Sequence, residues 1–143
     1  MQLDVSEILS ILKHRYPLVL IDGVLNLVPQ ESCEAFKNIS YNEWFFPAHF
    51  VGSPIMPGSL QVEMYTQAVA ITLLVRSEGD IEDAGMPILF SVDRVRFYKA
   101  VSPGDRINIE VMVDKRATGI VMSTARGFVG RFLVSECKIG YRI

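Results

Sequence analysis

After Pro57-Gly58 the chain runs to Arg76 without another glycine or proline, and this stretch constrains the fold more than any other. Leu60, Glu63, Met64, Gln67, Ala68 and Ala70 are good helix formers, so one helix is expected from Ser59 to about Arg76. Eighteen residues make it roughly 27 Å long. From Ala68 to Val75 it is apolar nearly all round, which suits an enclosed helix and not one laid on a surface. Whatever the rest of the chain builds has to wrap around it.

The flanking segments supply the wrapping. "VSEILSIL" (Val5 to Leu12) reads as a short amphipathic helix. "LVLIDGVLNLV" and "SCEAFKNIS" read as strands joined by a turn at Pro29 and Gln30. Asn42 to Gly58 carries three prolines and two glycines and is expected to be an ordered loop. In the second half, "ILFSVDRVRFYKA", "DRINIEVMVDKR", "GIVMSTARGFV" and "RFLVSECKIGYRI" alternate as strands do, with a strong turn signal at Pro103-Gly104. Two strands, one long helix and four more strands make an α+β domain, its antiparallel sheet wrapped around the helix.

A chain of 143 residues, half of them hydrophobic and 21% charged, is one domain's worth (1–143), without linker or repeat. A net charge of −2 argues against a nucleic-acid partner. Cys33 and Cys137 fit no metal-ligand spacing, and two histidines without a CxxC or HExxH pattern imply no metal. A reduced, cytoplasmic setting is expected. The start, "MQLDVSEILS", lacks the apolar run of a secretory signal, and Ala68 to Val75 is too short to span a bilayer. No glycine-rich nucleotide loop occurs, and no cofactor is implied.

Three residues have the makings of a reaction centre. His49 stands among Phe45, Phe46, Phe50, Val51 and Ile55, where desolvation favours the neutral imidazole that serves as a general base. A plain loop histidine with one hydrogen bond is the commoner use of such a residue. Gly58 opens the long helix, where the first N–H groups have no internal partner and the dipole is positive. Read as more than a turn residue, it lets a substrate oxygen approach, as an oxyanion hole requires. Glu63 lies on the first turns of a helix that should be buried, with Gln67 at i+4 within hydrogen-bonding reach. It either complements the helix dipole or is a general acid. His14, among the polar neighbours of "KHRYP", reads as a surface residue. Arg94, Arg96 and Lys99 form a basic strand stretch, which is either a solvated face or a surface for an acidic partner.

"HRYPLVLIDGV", "KNISYNEWFFPAHFVGSPIMPGSLQVEMYTQAVAI" and "VDRVRFYKAVSPGDRI" resemble, in that order, three segments of the bacterial 3-hydroxyacyl-[acyl carrier protein] dehydratases of fatty-acid synthesis. The resemblance extends from about Lys13 to the final strand. It implies the hot-dog fold, a homodimer with a continuous sheet, and often a trimer of dimers. It implies a lyase in which His49 and Glu63 are the catalytic base and acid, and in which Gly58 binds the thioester carbonyl through its N–H. The Ile55 carbonyl would then orient the imidazole, Gln67 would belong with the substrate-binding residues, and Arg94, Arg96 and Lys99 would dock the carrier protein.

Several positions depart from the family pattern: Ala48 and Val51 around the histidine, Ser59, Gln61 and Tyr65 on the helix, and Gly23. None removes a catalytic group; they bear on acyl length and pathway. A hot-dog thioesterase and a non-catalytic acyl-binding subunit are the rival readings. The pairing of His49 with Glu63 favours the dehydratase.

Overall fold

The computed structural model describes residues 1–76 and 85–143. Asp4 opens α1 (Val5–Ile11) with a capping box, its carboxylate accepting from the Glu7 N–H while Glu7 accepts from the Asp4 N–H. Then follow β1 (Gly23–Val28), β2 (Ser32–Asn38), α2 (Gly58–Leu74), β3 (Ile88–Phe97), β4 (Arg106–Ala117), β5 (Ile120–Val129) and β6 (Phe132–Arg142). The strands form one antiparallel sheet in the order β1-β2-β4-β5-β6-β3. The long helix and the sheet around it are the expected α+β arrangement. Among the described residues no helix is long and apolar enough to cross a membrane.

The core explains why α2 is so apolar. From Met64 to Leu74 every residue of the helix is buried, against Ala35, Ile107, Ile109, Val121, Ala125, Val134 and Ile139 of the sheet. Alternate residues of β4 and β5 turn inward, as a strand with one covered face requires. Buried polar groups on the helix are answered individually. Thr72 Oγ1 donates to the Ala68 carbonyl, and Tyr141 Oη donates to the Thr66 carbonyl. Lys37, 3% exposed, reaches the Glu43 carboxylate at 2.8 Å and thereby ties β2 to the start of the 39–57 loop.

One expectation needs correction. The strand anticipated from Leu18 begins only at Gly23. Leu18 and Leu20 find their partner in a side chain and not in a neighbouring strand. The Gln67 amide accepts from the Leu20 N–H at 2.8 Å and donates to the Leu18 carbonyl at 2.6 Å. This single amide does for two residues what a sheet ladder would otherwise do.

At the other side of the sheet β3 is an edge strand, hydrogen-bonded to β6 alone among the described strands. Ile88, Leu89, Phe90, Val92 and Phe97 along it are exposed, Ile88 to 66%. Such an edge is ready to pair with another strand.

Candidate active site

His49 sits in a loop folded back on itself. Phe50 N–H donates to the Ser53 carbonyl and Ser53 N–H to the Phe50 carbonyl, while Ile55 N–H donates to the His49 carbonyl at 3.0 Å. This closure brings the Ile55 carbonyl to 2.9 Å from His49 Nδ1. A carbonyl only accepts, so the ring hydrogen is on Nδ1 and the lone pair is on Nε2. The imidazole is thus held in the tautomer that a base acting through Nε2 needs. Its apolar surroundings are thinner than the sequence suggested. Phe45 and Phe46 are buried and Phe50 stacks on the ring at 4.0 Å, but Val51 is 92% exposed and points away.

The loop delivers the chain to α2 at Pro57, which offers no side-chain cap. Gly58 begins the helix in an open pocket of about 410 Å³ that it shares with His49, Ile55, Met56, Gln61, Phe97 and Lys99. The Phe97 ring lies over it so closely that a Cβ on Gly58 would stand 2.6 Å from the ring. Any larger residue there would require the exposed ring to move. The site therefore joins a basic imidazole nitrogen and a helix start with uncapped N–H groups, the donors that stabilise negative charge on an oxygen. Phe97 was not singled out from sequence. Its alternation in β3 marks it as a strand residue and nothing more.

A buried polar chain braces this pocket from behind. Ser135 Oγ donates to Gln61 Oε1 at 2.6 Å, and Tyr65 Oη donates to Ser135 Oγ. Gln61 Nε2 in turn reaches the Met56 carbonyl at 3.4 Å. Burial raises the Tyr65 hydroxyl well above the usual phenol range, so it remains a donor at any working pH.

Glu63 lies about 140° around the helix from Gly58, and it is not among the residues lining the His49 pocket. It is half-buried, with 29% of its side chain exposed, and not enclosed as the apolar helix implied. Its Oε1 accepts from Gln67 Nε2 at 2.9 Å and lies 3.3 Å from His14 Nε2. His14, read from the sequence as a surface residue, is therefore reassigned: 26% of its side chain is exposed and its ring faces the carboxylate. Its place between Ile11-Leu12 and Leu20-Ile21, two buried segments, was the signal available. Gln67 is fully buried, and both its N–H groups and its oxygen are engaged by Leu18, Leu20 and Glu63. It holds the carboxylate in place.

The basic residues are divided. Lys99 borders the His49 pocket, its ammonium 4.4 Å above the Phe132 ring. Arg94 lines a different groove, with Asp114, Arg126, Glu136 and Lys138. Arg96 is exposed on β3 near the Tyr98–Glu136 pair. Cys33 and Cys137 are buried and unpaired, and burial pushes both thiols up to about 12. Among the described residues no group of His, Cys, Asp and Glu is arranged to hold a metal ion.

Comparison with known proteins adds a family. Residues 12–138 match the FabA-like domain. The chain is 38% identical over 136 residues to the 3-hydroxyacyl-[acyl-carrier-protein] dehydratase FabZ of Halorhodospira halophila, which covers 95% of this chain and 89% of that protein. It is 40% identical to the protein of the same name from Bordetella pertussis, over 97% of this chain and 94% of that one. Among solved structures, the dehydratase heterocomplex ApeI:P from Xenorhabdus doucetiae matches with a TM-score of 0.66 at 17% identity, covering 84% of this chain and 96% of that one. Thioesterase superfamily member 2 from Mus musculus matches with a TM-score of 0.65 at 8% identity, covering 83% and 79%. At such identities these two likenesses speak for the fold alone.

Proposed function

The chain belongs to the FabA-like family, and we propose that it removes water from 3-hydroxyacyl chains carried on an acyl carrier protein, giving the trans-2-enoyl chain for fatty-acid or related acyl biosynthesis. The observation that carries this reading is the His49 clamp. Its Nδ1–H is held by the Ile55 carbonyl, which leaves Nε2 basic beside the uncapped start of α2.

The reaction follows from these groups. His49 Nε2 takes the C2 proton while the thioester oxygen, gaining enolate character, is met by the Gly58 N–H. The electron pair of the C2–H bond becomes the C2–C3 double bond. The C3–O bond breaks with its electron pair on oxygen, and Glu63 protonates that oxygen so that it leaves as water. The enzyme is left with an imidazolium and a carboxylate; one proton moved from the first to the second restores it. A thioesterase would need a water aimed at the thioester carbon. The relatives at 38% and 40% identity are dehydratases by name, and they weigh against that rival.

His49 and Gly58 share a pocket that Glu63 does not line. This separation supports a composite site in a homodimer, where Glu63 of one copy faces His49 of the other. The exposed apolar edge at β3 supports pairing of two sheets. The chain would act as one domain in a cytoplasmic, reducing setting, in keeping with its two unpaired thiols. Lys99, at the pocket rim, is the best placed of the three basic residues to meet an acidic carrier.

The test uses two inactive variants. His49→Ala and Glu63→Ala proteins are each assayed for interconversion of 3-hydroxyacyl and enoyl thioesters, then unfolded together and refolded at equal ratio. Random pairing makes half the dimers mixed, each with one intact site, so about a quarter of wild-type activity should return. No recovery, with subunit exchange confirmed by mass spectrometry, would reject the composite site. Thiol release without enoyl formation by the wild-type protein would reject the dehydratase.

A further inference from the structure

Glu63 has two oxygens in unequal situations. Oε1 accepts from Gln67 Nε2 at 2.9 Å and faces His14 Nε2 at 3.3 Å; no such contact engages Oε2 among the described residues. Gln67 cannot turn away, because its amide is anchored to the Leu18 carbonyl and the Leu20 N–H. His14 is fixed at the end of α1, where Leu12 N–H closes the helix on the Ile8 carbonyl and Arg15 Nη1 bonds the Leu12 and His14 carbonyls. Its Nδ1 is buried and has no partner among the described residues. With the hydrogen on Nε2, the ring presents a donor to Glu63 at 3.3 Å and leaves only a lone pair unanswered at Nδ1. With the hydrogen on Nδ1, a buried donor would be orphaned and a lone pair would face the carboxylate. The second arrangement costs more.

We propose that His14 is a positioning residue for the acid: its Nε2–H, together with the Gln67 amide, commits Glu63 Oε1 to accepting, so that the proton delivered to the C3 hydroxyl is carried on Oε2. This rests on the dehydratase reading above. A carboxylic acid carries one hydrogen, and with the Gln67 amide bonded to Oε1 and His14 Nε2 3.3 Å from it there is no room for that hydrogen on Oε1. When Oε2 gives up its proton, the negative charge spreads onto Oε1, where the Gln67 donor and His14 Nε2 already lie and no reorganisation is needed. No proton passes through His14, whose Nε2–H faces Oε1 before and after the step. An acid held by one side-chain donor can swing about χ3, and a second contact on the same oxygen restricts that motion.

The experiment combines kinetics with a direct view of the ring. His14→Ala, His14→Gln, His14→Asn, Glu63→Gln and the double variant His14→Ala/Glu63→Gln are prepared in the full-length chain and assayed with a 3-hydroxyacyl thioester. His14→Ala should lower kcat on the order of 10- to 100-fold with little change in KM. Glutamine, whose amide nitrogen falls where Nε2 stands, should restore most of the rate. Asparagine, whose nitrogen falls at Nδ1, should not. In the Glu63→Gln background, loss of His14 should cost nothing further. Long-range nitrogen–proton NMR at neutral pH should find the His14 hydrogen on Nε2. An unchanged kcat in His14→Ala, equal rates for the glutamine and asparagine variants, additive losses in the double variant, or a hydrogen on Nδ1 alone would each overturn the proposal. Should His14→Ala fail to fold, the glutamine–asparagine comparison and the NMR measurement still decide it. A wild-type protein that performs no dehydration would instead overturn the function proposed above, and the ring tautomer would still decide whether His14 donates to Glu63.

Discussion

The hydroxyl of Tyr65 on α2 occupies the space where a side chain on Gly127 of β5 would begin. A Cβ there would overlap the Tyr65 hydroxyl and crowd Ile107, so the helix and the sheet are fitted to each other at this point through the smallest possible residue. Gly127→Ala should therefore destabilise the protein by about 1–3 kcal/mol, the usual penalty for overpacking. Tyr65→Leu removes the obstructing ring and should recover much of that loss. Thermal unfolding of the two single variants and the double variant measures the coupling; strictly additive losses would show that the two sites do not compete for space.

A second tight approach lies within the candidate active site. The Phe97 ring is close enough to Gly58 that an alanine would meet it at 2.6 Å. Gly58→Ala keeps the backbone N–H but sets a methyl group where the thioester oxygen would approach, and should lower kcat/KM on the order of 10- to 100-fold. The melting temperature should change little, because exposed Phe97 can tilt outward. A full loss of folding in the circular dichroism spectrum would mean that the contact is structural.

The divided basic residues give opposite expectations. Lys99→Glu should raise KM for the carrier-bound substrate and leave a small thioester analogue unaffected. Arg94→Glu, in a groove that already mixes Arg126 and Lys138 with Asp114 and Glu136, should change neither constant by more than about twofold. Equal KM increases from both variants would extend the docking surface along β3.

Alkaline pH should weaken the fold. Burial raises the thiols of Cys33 and Cys137 from 9.0 to about 12 and the Tyr141 phenol from 10.0 to about 12. All three are raised on folding, so their contribution is fully present below the unfolded values and is lost as pH climbs through the folded ones. Above pH 9 the unfolded chain releases thiol protons that the folded chain keeps, and each thiol should cost about 1.4 kcal/mol per pH unit. Denaturant melts between pH 8 and 11 measure the slope. Cys33→Ala should flatten it, and an unchanged slope would mean that this thiol ionises alike in both states.

The parts of this protein that a reader of the sequence can see are those encoded by near neighbours. The helix is visible because Pro57-Gly58 starts it and no breaker follows; its observed span, Gly58–Leu74, differs by a residue or two from the expected one. The expected alternation survives in β4, β5 and β6. What was hidden depends on partners far along the chain. Gln67 replaces a strand for Leu18 and Leu20, 47 to 49 residues away, and no periodicity announces that. His14 and Glu63 are equally distant in sequence, so the polar neighbours of "KHRYP" gave the wrong environment for the ring. Val51 reads as apolar lining and is solvent-facing, because a reciprocal turn between Phe50 and Ser53 throws it outward.

The sheet order has a consequence for how the molecule is made. β3 precedes β4, β5 and β6 in the chain, yet the strand it lies against is β6, with Phe97 opposite Ser135. During synthesis α2 and the His49 loop emerge early, but β3 has nothing to zip onto until almost the whole of the domain has left the ribosome. Pairings of such separation form slowly, and until they do the ring that roofs Gly58 has no fixed position. A nascent chain would thus carry His49 and Glu63 long before the pocket at Gly58 is complete. The last strand added, which contributes neither His49 nor Glu63, sets the earliest moment at which one copy can offer a finished pocket to its partner.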